Sequence, residues 1–379
     1  MNGKTLMILW SIVIFLFLGF QVCGASPLES DVELGRPKGE YHVHFGADPV
    51  NLKNGNLYYP ATDLFIPCVG FPLSVTRSYN SRSRYTGIFG FGWSSNLDIR
   101  LEIEKYKVVM MEADGFRETF TFFQQKGGVR RFRSAAETKT VEIQKNKITV
   151  INRQTGEKRM FDGKGKILER VDTYGNTLTY QYNDEGHLAQ VIDTAGRAIE
   201  ILTDPTGKVI QITDPIQRMI RYDYDTKDNL IGVTDRAGHK TRFSYDKRHN
   251  LLRIDYPNGG STKLSYDLRR DLIIKELGPE RRSTSYRYKL DPKHPESWTV
   301  EVIDALKNIT QYDYSNNGYH LVITDALGGK TIKESCEDCG GRLVFYTDAR
   351  SNTTRYEYTS QEGFNITTKM NSLGHKTIT

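Results

Sequence analysis

Cysteine is scarce in this chain: four occur in 379 residues. One of them, Cys23, lies in an apolar N-terminal segment, so Cys68, Cys336 and Cys339 remain, one short of the four ligands a tetrahedral zinc site needs. Long hydrophobic runs are also lacking. The stretch Leu6 to Phe20 is the exception, and at 15 residues it is short for a membrane span. No segment after residue 25 keeps a helical period, which turns the expectation toward an all-β fold. The sequence contains no nucleophile elbow, zinc-protease motif, P-loop or dinucleotide fingerprint, so nothing in it specifies an enzyme or a cofactor. Neither sign of charge dominates: Lys and Arg total 52 against 46 Asp and Glu. Arg130-Arg131, Arg269-Arg270 and Arg281-Arg282 are short clusters and not a stripe, which weighs against nucleic acid as a partner.

What is present is a repeat. Asp172, Asp193, Asp214 and Asp235 recur at an interval of 21 residues, and Tyr182, Thr203, Tyr224, Tyr245 and Tyr266 keep the same interval at a second position. The unit reads Asn176-Thr-Leu-Thr-Tyr-Gln-Tyr182, a turn through Asn183-Asp-Glu-Gly186, then His187-Leu-Ala-Gln-Val-Ile192 and a turn through Asp193-Thr-Ala-Gly196. The runs are rich in Thr, Tyr, Val, Ile and Leu and alternate as half-buried strands do. Asp or Asn opens each turn because its side chain can bond the backbone two residues on, and Gly closes it because it tolerates positive φ. Each unit is therefore a β-hairpin plus a connecting turn. A lone hairpin is marginal in water, so each copy must bury its apolar face with neighbouring units.

Followed further, the first anchor falls at Asp255, Glu276, Asp304, Asp325, Asp348 and Asn371, and the second at Tyr314 and Tyr358. One long step holds Lys289-Leu-Asp-Pro-Lys-His-Pro295, a polar, Pro-bearing insertion expected to form a loop and not a strand. The ten-residue spacing from first to second anchor asks for a tyrosine two positions beyond Thr379, so the array is expected to be incomplete at its C-terminus, without a capping unit.

Lys4, the apolar run and the small residues Cys23-Gly24-Ala25 have the order of a secretory signal, with cleavage expected after Ala25; the alternative is an uncleaved anchor, the chain's sole expected membrane contact. A lipidated Cys23 fits less well, because Gln21 and Val22 are not small.

Single residues with chemical potential each have a simpler reading beside them. Cys336-Glu-Asp-Cys339 sits at a repeat turn and reads as a disulfide clip or an inert thiol pair, with half a metal site or a redox pair as the alternative. His42 and His44 alternate along a strand but have no acidic or thiol neighbour to complete a metal site. Gly87, Gly90 and Gly92 resemble a phosphate loop only in spacing, since no helix follows. Asn308, Asn352 and Asn365 head glycosylation triplets, and two of the three stand just after a turn anchor. The periodic aspartates supply one carboxylate per turn, which suits turn formation and not calcium binding.

Ahead of the repeats lies Gly46-Ala-Asp-Pro-Val-Asn-Leu-Lys-Asn-Gly-Asn56, then Leu73-Ser-Val-Thr-Arg-Ser-Tyr-Asn-Ser81 and Phe89-Gly-Phe-Gly-Trp93. This stretch resembles the domain that opens many Rhs proteins. Tyr245-Asp246, Tyr266-Asp267 and Asp235-Arg-Ala-Gly238 are similar to the YD repeats of the Rhs and teneurin families, and Phe161-Asp-Gly163 to the strands joining the two regions. The resemblance implies a hollow β shell that encloses a C-terminal toxin. The chain departs from the family pattern in having too few copies to close a shell and in lacking the plug segment and a following toxin.

The expected architecture is a signal peptide (1–25), an Rhs-type opening β domain (41–104), connecting strands (105–170) and YD repeats (171–379) forming a curved, partly open hairpin sheet or shell. The expected role is that of an exported, non-catalytic structural protein of the cell envelope or exterior, the N-terminal part of a shell. Its expected partners are a toxin polypeptide or the remaining part of the shell. The alternative is a cell-surface carbohydrate-binding or adhesion module, because exposed Tyr, Thr and Asn can engage glycans.

Overall fold

A computed structural model of the chain describes residues 50–134, 138–267, 269, 271–280, 282–336, 341–361 and 364–378. The segment 1–25, His42, His44 and Cys339 lie outside them. Among the described residues the sole helical element is a 3-10 turn at Asn316–Gly318. Everything else regular is β-strand, as the Thr, Tyr and β-branched content favours.

A small antiparallel sheet joins Val50–Asn51, Asn56–Ile66, Leu73–Asn80 and Trp93–Ser95 in that order. A second, much longer ladder begins at Arg100–Ile103 and ends at Lys376–Ile378. Its twenty-seven described strands each pair antiparallel with their neighbours in sequence, so the topology is a run of hairpins. Among the described residues no ladder joins the last strand to the first. The sheet returns to itself at one place: Arg100 bridges Lys166, and the Leu101 N–H donates to the Gly165 carbonyl at 2.9 Å. Its first eight strands therefore curl round until the first meets the turn before Ile167–Val171, and the remaining strands continue as an open, curved sheet. Gly165 is required at this seam, because its φ is +85° and a Cβ there would collide with the Leu101 carbonyl.

The curvature has a repeating cause. In successive hairpins the register slips by one residue between Gln181 and Tyr182, Leu202 and Thr203, Asp223 and Tyr224, Ser244 and Tyr245, and Ser265 and Tyr266. Each slip is a β-bulge, which bends its strand and increases local twist. The 21-residue period thus copies a bend as well as a hairpin. The hairpin Ser283–Leu290 with Trp298–Ile303 has no such slip. There the expectation of a loop from Lys289 needs correction: Lys289 and Leu290 pair with Thr299 and Trp298, so strand continues two residues into the insertion before Asp291-Pro292 ends it.

The core lies on one face of the repeat sheet. Leu178 and Tyr180, Ile199 and Ile201, Ile220 and Tyr222, and Leu264 and Tyr266 alternate inward from their strands. Leu57, Val75, Tyr79, Phe89 and Trp93 of the preceding region join the same apolar cluster.

Candidate functional site

Two rims of turns and one buried face make up the repeat sheet, and most of the turns share one build. Asp193 shows the pattern. Its Oδ1 accepts the backbone N–H of Ala195 (3.0 Å) and of Arg197 (2.9 Å), while the Gly196 N–H donates to the Asp193 carbonyl (2.9 Å). Asp172, Asp214, Asp235, Asp304, Asp325 and Asp348 accept the same pair of N–H groups two and four residues on. The fifth residue often closes the turn from its side chain, as Asn176, Arg197, Arg218, Asn308 and Asn352 do. Asn308 and Asn352, two of the triplet asparagines, thus have their amide nitrogens engaged. Burial opposes ionisation of the Asp193, Asp214 and Asp235 carboxyls. The hydrogen bonds they accept outweigh that and hold all three below the usual carboxylate range.

The opposite rim uses the same turn, opened by Asp204, Asp225 and Asp246. Two expected anchors need correction. Asp255 is the last residue of its strand, and the turn is opened by Tyr256, whose N–H donates to the Gly260 carbonyl and whose carbonyl accepts from Gly259. Glu276 likewise lies within Leu272–Leu277, and Gly278 holds the turn position. The period continues through the backbone there, but the carboxylate that marks it elsewhere is displaced by one or two positions.

The periodic tyrosines act as latches. Tyr182, Tyr224, Tyr245 and Tyr358 each donate the phenol hydrogen to a carbonyl fifteen residues earlier: Ile167 (2.8 Å), Val209 (2.8 Å), Leu230 (2.9 Å) and Leu343 (2.7 Å). Tyr288, which spacing alone does not single out, makes the same bond to Ile273 at 2.9 Å. Tyr266 is different. Its hydroxyl is buried without a partner among the described residues. Tyr79 occupies the neighbourhood instead, donating to the His249 carbonyl (2.8 Å) and accepting the Leu251 N–H (3.0 Å). Tyr314 stacks on Trp298, with ring centroids 5.0 Å apart.

The region ahead of the repeats is laid directly across them. Phe89 packs on Tyr222 (5.0 Å between centroids) and Trp93 on Phe243 (5.6 Å), in the tilted and edge-on geometries aromatic pairs favour. Trp93 also donates its indole N–H to the Tyr245 hydroxyl at 3.1 Å. Backbone bonds run from Val209 to Ile88 (2.8 Å) and from Phe91 to Asp228 (2.9 Å). Gly90 and Gly92 both have positive φ at this contact, so these glycines serve close packing and turning. Beneath the aromatic layer lies a buried ion pair. Arg77 Nε donates to Asp63 Oδ2 at 2.6 Å, Tyr222 donates to the same oxygen at 3.0 Å, and the guanidinium lies 4.5 Å from the Trp93 ring centre.

A second charged network spans the connecting strands. Glu118, Lys139, Glu112, Arg159, Glu157 and Arg170 form a chain of contacts between 2.6 and 2.9 Å. Its charges alternate, so burial is offset in situ. Cys336 is disulfide-bonded, and Cys68 is a free thiol. Among the described residues, no group of three or more His, Cys, Asp or Glu converges as metal ligands would, and no helix is long and apolar enough to cross a membrane. Along one rim, Tyr174, Ile216, Leu306, Leu327 and Leu373 stand exposed two residues after the turn-opening residue.

The sequence matches two known families. Residues 47–120 match a domain of unknown function, DUF6531, and residues 204–240 and 224–261 match the RHS Repeat. No curated protein matches. Among solved structures, TcdB2-TccC3-TEV is 11% identical, with a TM-score of 0.38, over 83% of this chain and 21% of that one. The Photorhabdus luminescens Tc holotoxin pore, carrying a TccC3 variant, is 11% identical, with a TM-score of 0.39, over 84% of this chain and 21% of that one. This chain therefore spans about a fifth of the length of those it superposes on.

Proposed function

We propose that this chain, which matches the RHS Repeat over residues 204–261, is an exported structural section of a β shell that encloses or presents a polypeptide, in family terms a toxin, without catalysis of its own. One observation carries this reading: an unbroken antiparallel ladder whose bend is copied by a bulge in register with the 21-residue repeat. Such a strip wraps space and does not focus side chains on a reacting atom.

On this reading residues 1–25 direct export, 41–104 form the opening domain, 105–170 connect, and 171–379 supply the wall. Cys336 and Cys339 clip one wall turn. The reading is tested by co-expressing the chain with the polypeptide encoded immediately downstream of it in its genome. Co-purification of the two at fixed stoichiometry is the expected result. Elution of each alone, with the chain folded, contradicts it.

A further inference from the structure

Where the sheet begins, a cavity of about 340 Å³ opens between the segment after Leu73–Asn80 and the first strands of the long ladder. Four arginines line it, Arg82, Arg84, Arg100 and Arg117, together with the hydroxyl-bearing Ser83 and Ser94, and one carboxylate, Glu102. That carboxylate is committed. Both its oxygens take N–H groups from Arg117, which, against a smaller opposing effect of burial, hold it below the usual range. A second carboxylate nearby, Asp98, is turned to the Tyr85 hydroxyl and the Ile88 N–H. Asp271 reaches Arg84 only at 3.4 Å and also receives Arg248 at 3.3 Å and Asn250 at 3.1 Å. Arg117 is committed to Glu102 in turn, and Arg82 donates to the Asn54 carbonyl at 2.7 Å, so Arg84 and Arg100, the latter beside Asp98 and Glu102, supply the positive charge that remains.

Arg100 is the decisive side chain. Its guanidinium lies 3.9 Å from the Tyr85 ring centre, which fixes its plane. Its Nε–H is out of solvent and has no acceptor among the described residues. That nitrogen offers no surface for a ligand oxygen to touch, so the terminal edge of the stacked guanidinium is what the cavity presents to an oxyanion. Guanidiniums and hydroxyls approaching from several strands suit an anion with three or more acceptor oxygens better than a planar carboxylate.

We infer that this cavity binds a phosphate-type oxyanion, free or as the monoester of a small molecule. The inference does not depend on what the wall encloses. Isothermal titration of the full chain at low ionic strength, with inorganic phosphate, glucose 6-phosphate and acetate, tests it. Phosphate or its ester binds, and acetate binds at least about tenfold more weakly, as expected from the lost charge-assisted bonds. Whichever of free phosphate and ester binds more tightly identifies the source. Arg100→Gln weakens binding about tenfold and Arg84→Gln, on an exposed side chain, about threefold. Should Arg100→Gln fail to fold by circular dichroism, Arg84→Gln and the ligand series decide. Absence of phosphate and ester binding, equal binding of acetate, or wild-type affinity in a folded Arg84→Gln variant overturns the inference.

Discussion

The Tyr245 hydroxyl donates to the Leu230 carbonyl at 2.9 Å and accepts the Trp93 indole N–H at 3.1 Å, so one atom latches a repeat and anchors the opening region to it. The latch alone can be isolated at Tyr182, which bonds the Ile167 carbonyl. Tyr182→Phe is expected to cost about 1 kcal/mol, the net worth of one such bond. Tyr266→Phe removes a buried hydroxyl that has no partner among the described residues and is expected to be neutral or stabilising. Urea unfolding midpoints of the two variants check this. Equal losses would show that the fifteen-residue latch is not what the tyrosine contributes.

Asp63 and Arg77 form the buried pair under the aromatic layer. Asp63→Ala strands the guanidinium and leaves Tyr222 without its acceptor, at an expected cost of about 3–5 kcal/mol. Asp63→Leu combined with Arg77→Met removes both charges and is expected to recover most of that loss. Thermal unfolding and limited proteolysis of the three proteins test it, with early cleavage between residues 50 and 98 expected only in the single variant.

Acid sensitivity follows from the turns. Asp193, Asp214 and Asp235 titrate below the usual range in the folded chain, as does Glu157, where Arg159 and Arg170 outweigh burial. A carboxyl depressed on folding contributes stability above its unfolded value, near about 4, and that contribution is lost as pH falls through the lower folded value. Burial works against the Lys139 charge, but Glu112 and Glu118 outweigh it, so the ammonium is held above 10.5. Its contribution is present at neutral pH and is lost only as pH rises past that point. The denaturation midpoint is thus expected to be flat around neutrality and to fall below about pH 4, and Asp193→Asn with Asp214→Asn should make the acid fall shallower. An unchanged slope in that double variant would remove the turn carboxylates from the account.

Thiol counting tests the proposed clip. In the chain lacking residues 1–25, one thiol, Cys68, is expected to react with a maleimide under denaturing conditions, and three after reduction. Three before reduction would show that Cys336 and Cys339 are not joined.

The hairpin array was legible in the sequence because its signals are local. An Asp that bonds N–H groups two and four residues on, and a Gly at positive φ, carry their geometry within five residues. The register failed at Asp255 and Glu276 because Tyr256 and Gly278 open their turns through backbone groups and carry no carboxylate, and the carboxylates nearby belong to strands. The latch tyrosines were visible as a period, but their acceptors were not, since each is a backbone carbonyl fifteen residues earlier that no side chain marks. Least legible was the packing of Tyr79, Phe89 and Trp93 on the repeats. Tyr79 meets His249 170 residues away, and nothing in either segment announces the other. The arginine cavity was invisible for the same reason, because its members come from three separated stretches.

Protease protection tests the central claim most directly. The chain is co-expressed with the polypeptide encoded after it, and the complex is treated with a nonspecific protease, beside the polypeptide alone. An open wall section that lies against its cargo predicts slower cleavage of the segments it covers than in the polypeptide by itself. Degradation at the same rate in both samples, with the repeat sheet intact, would contradict the account.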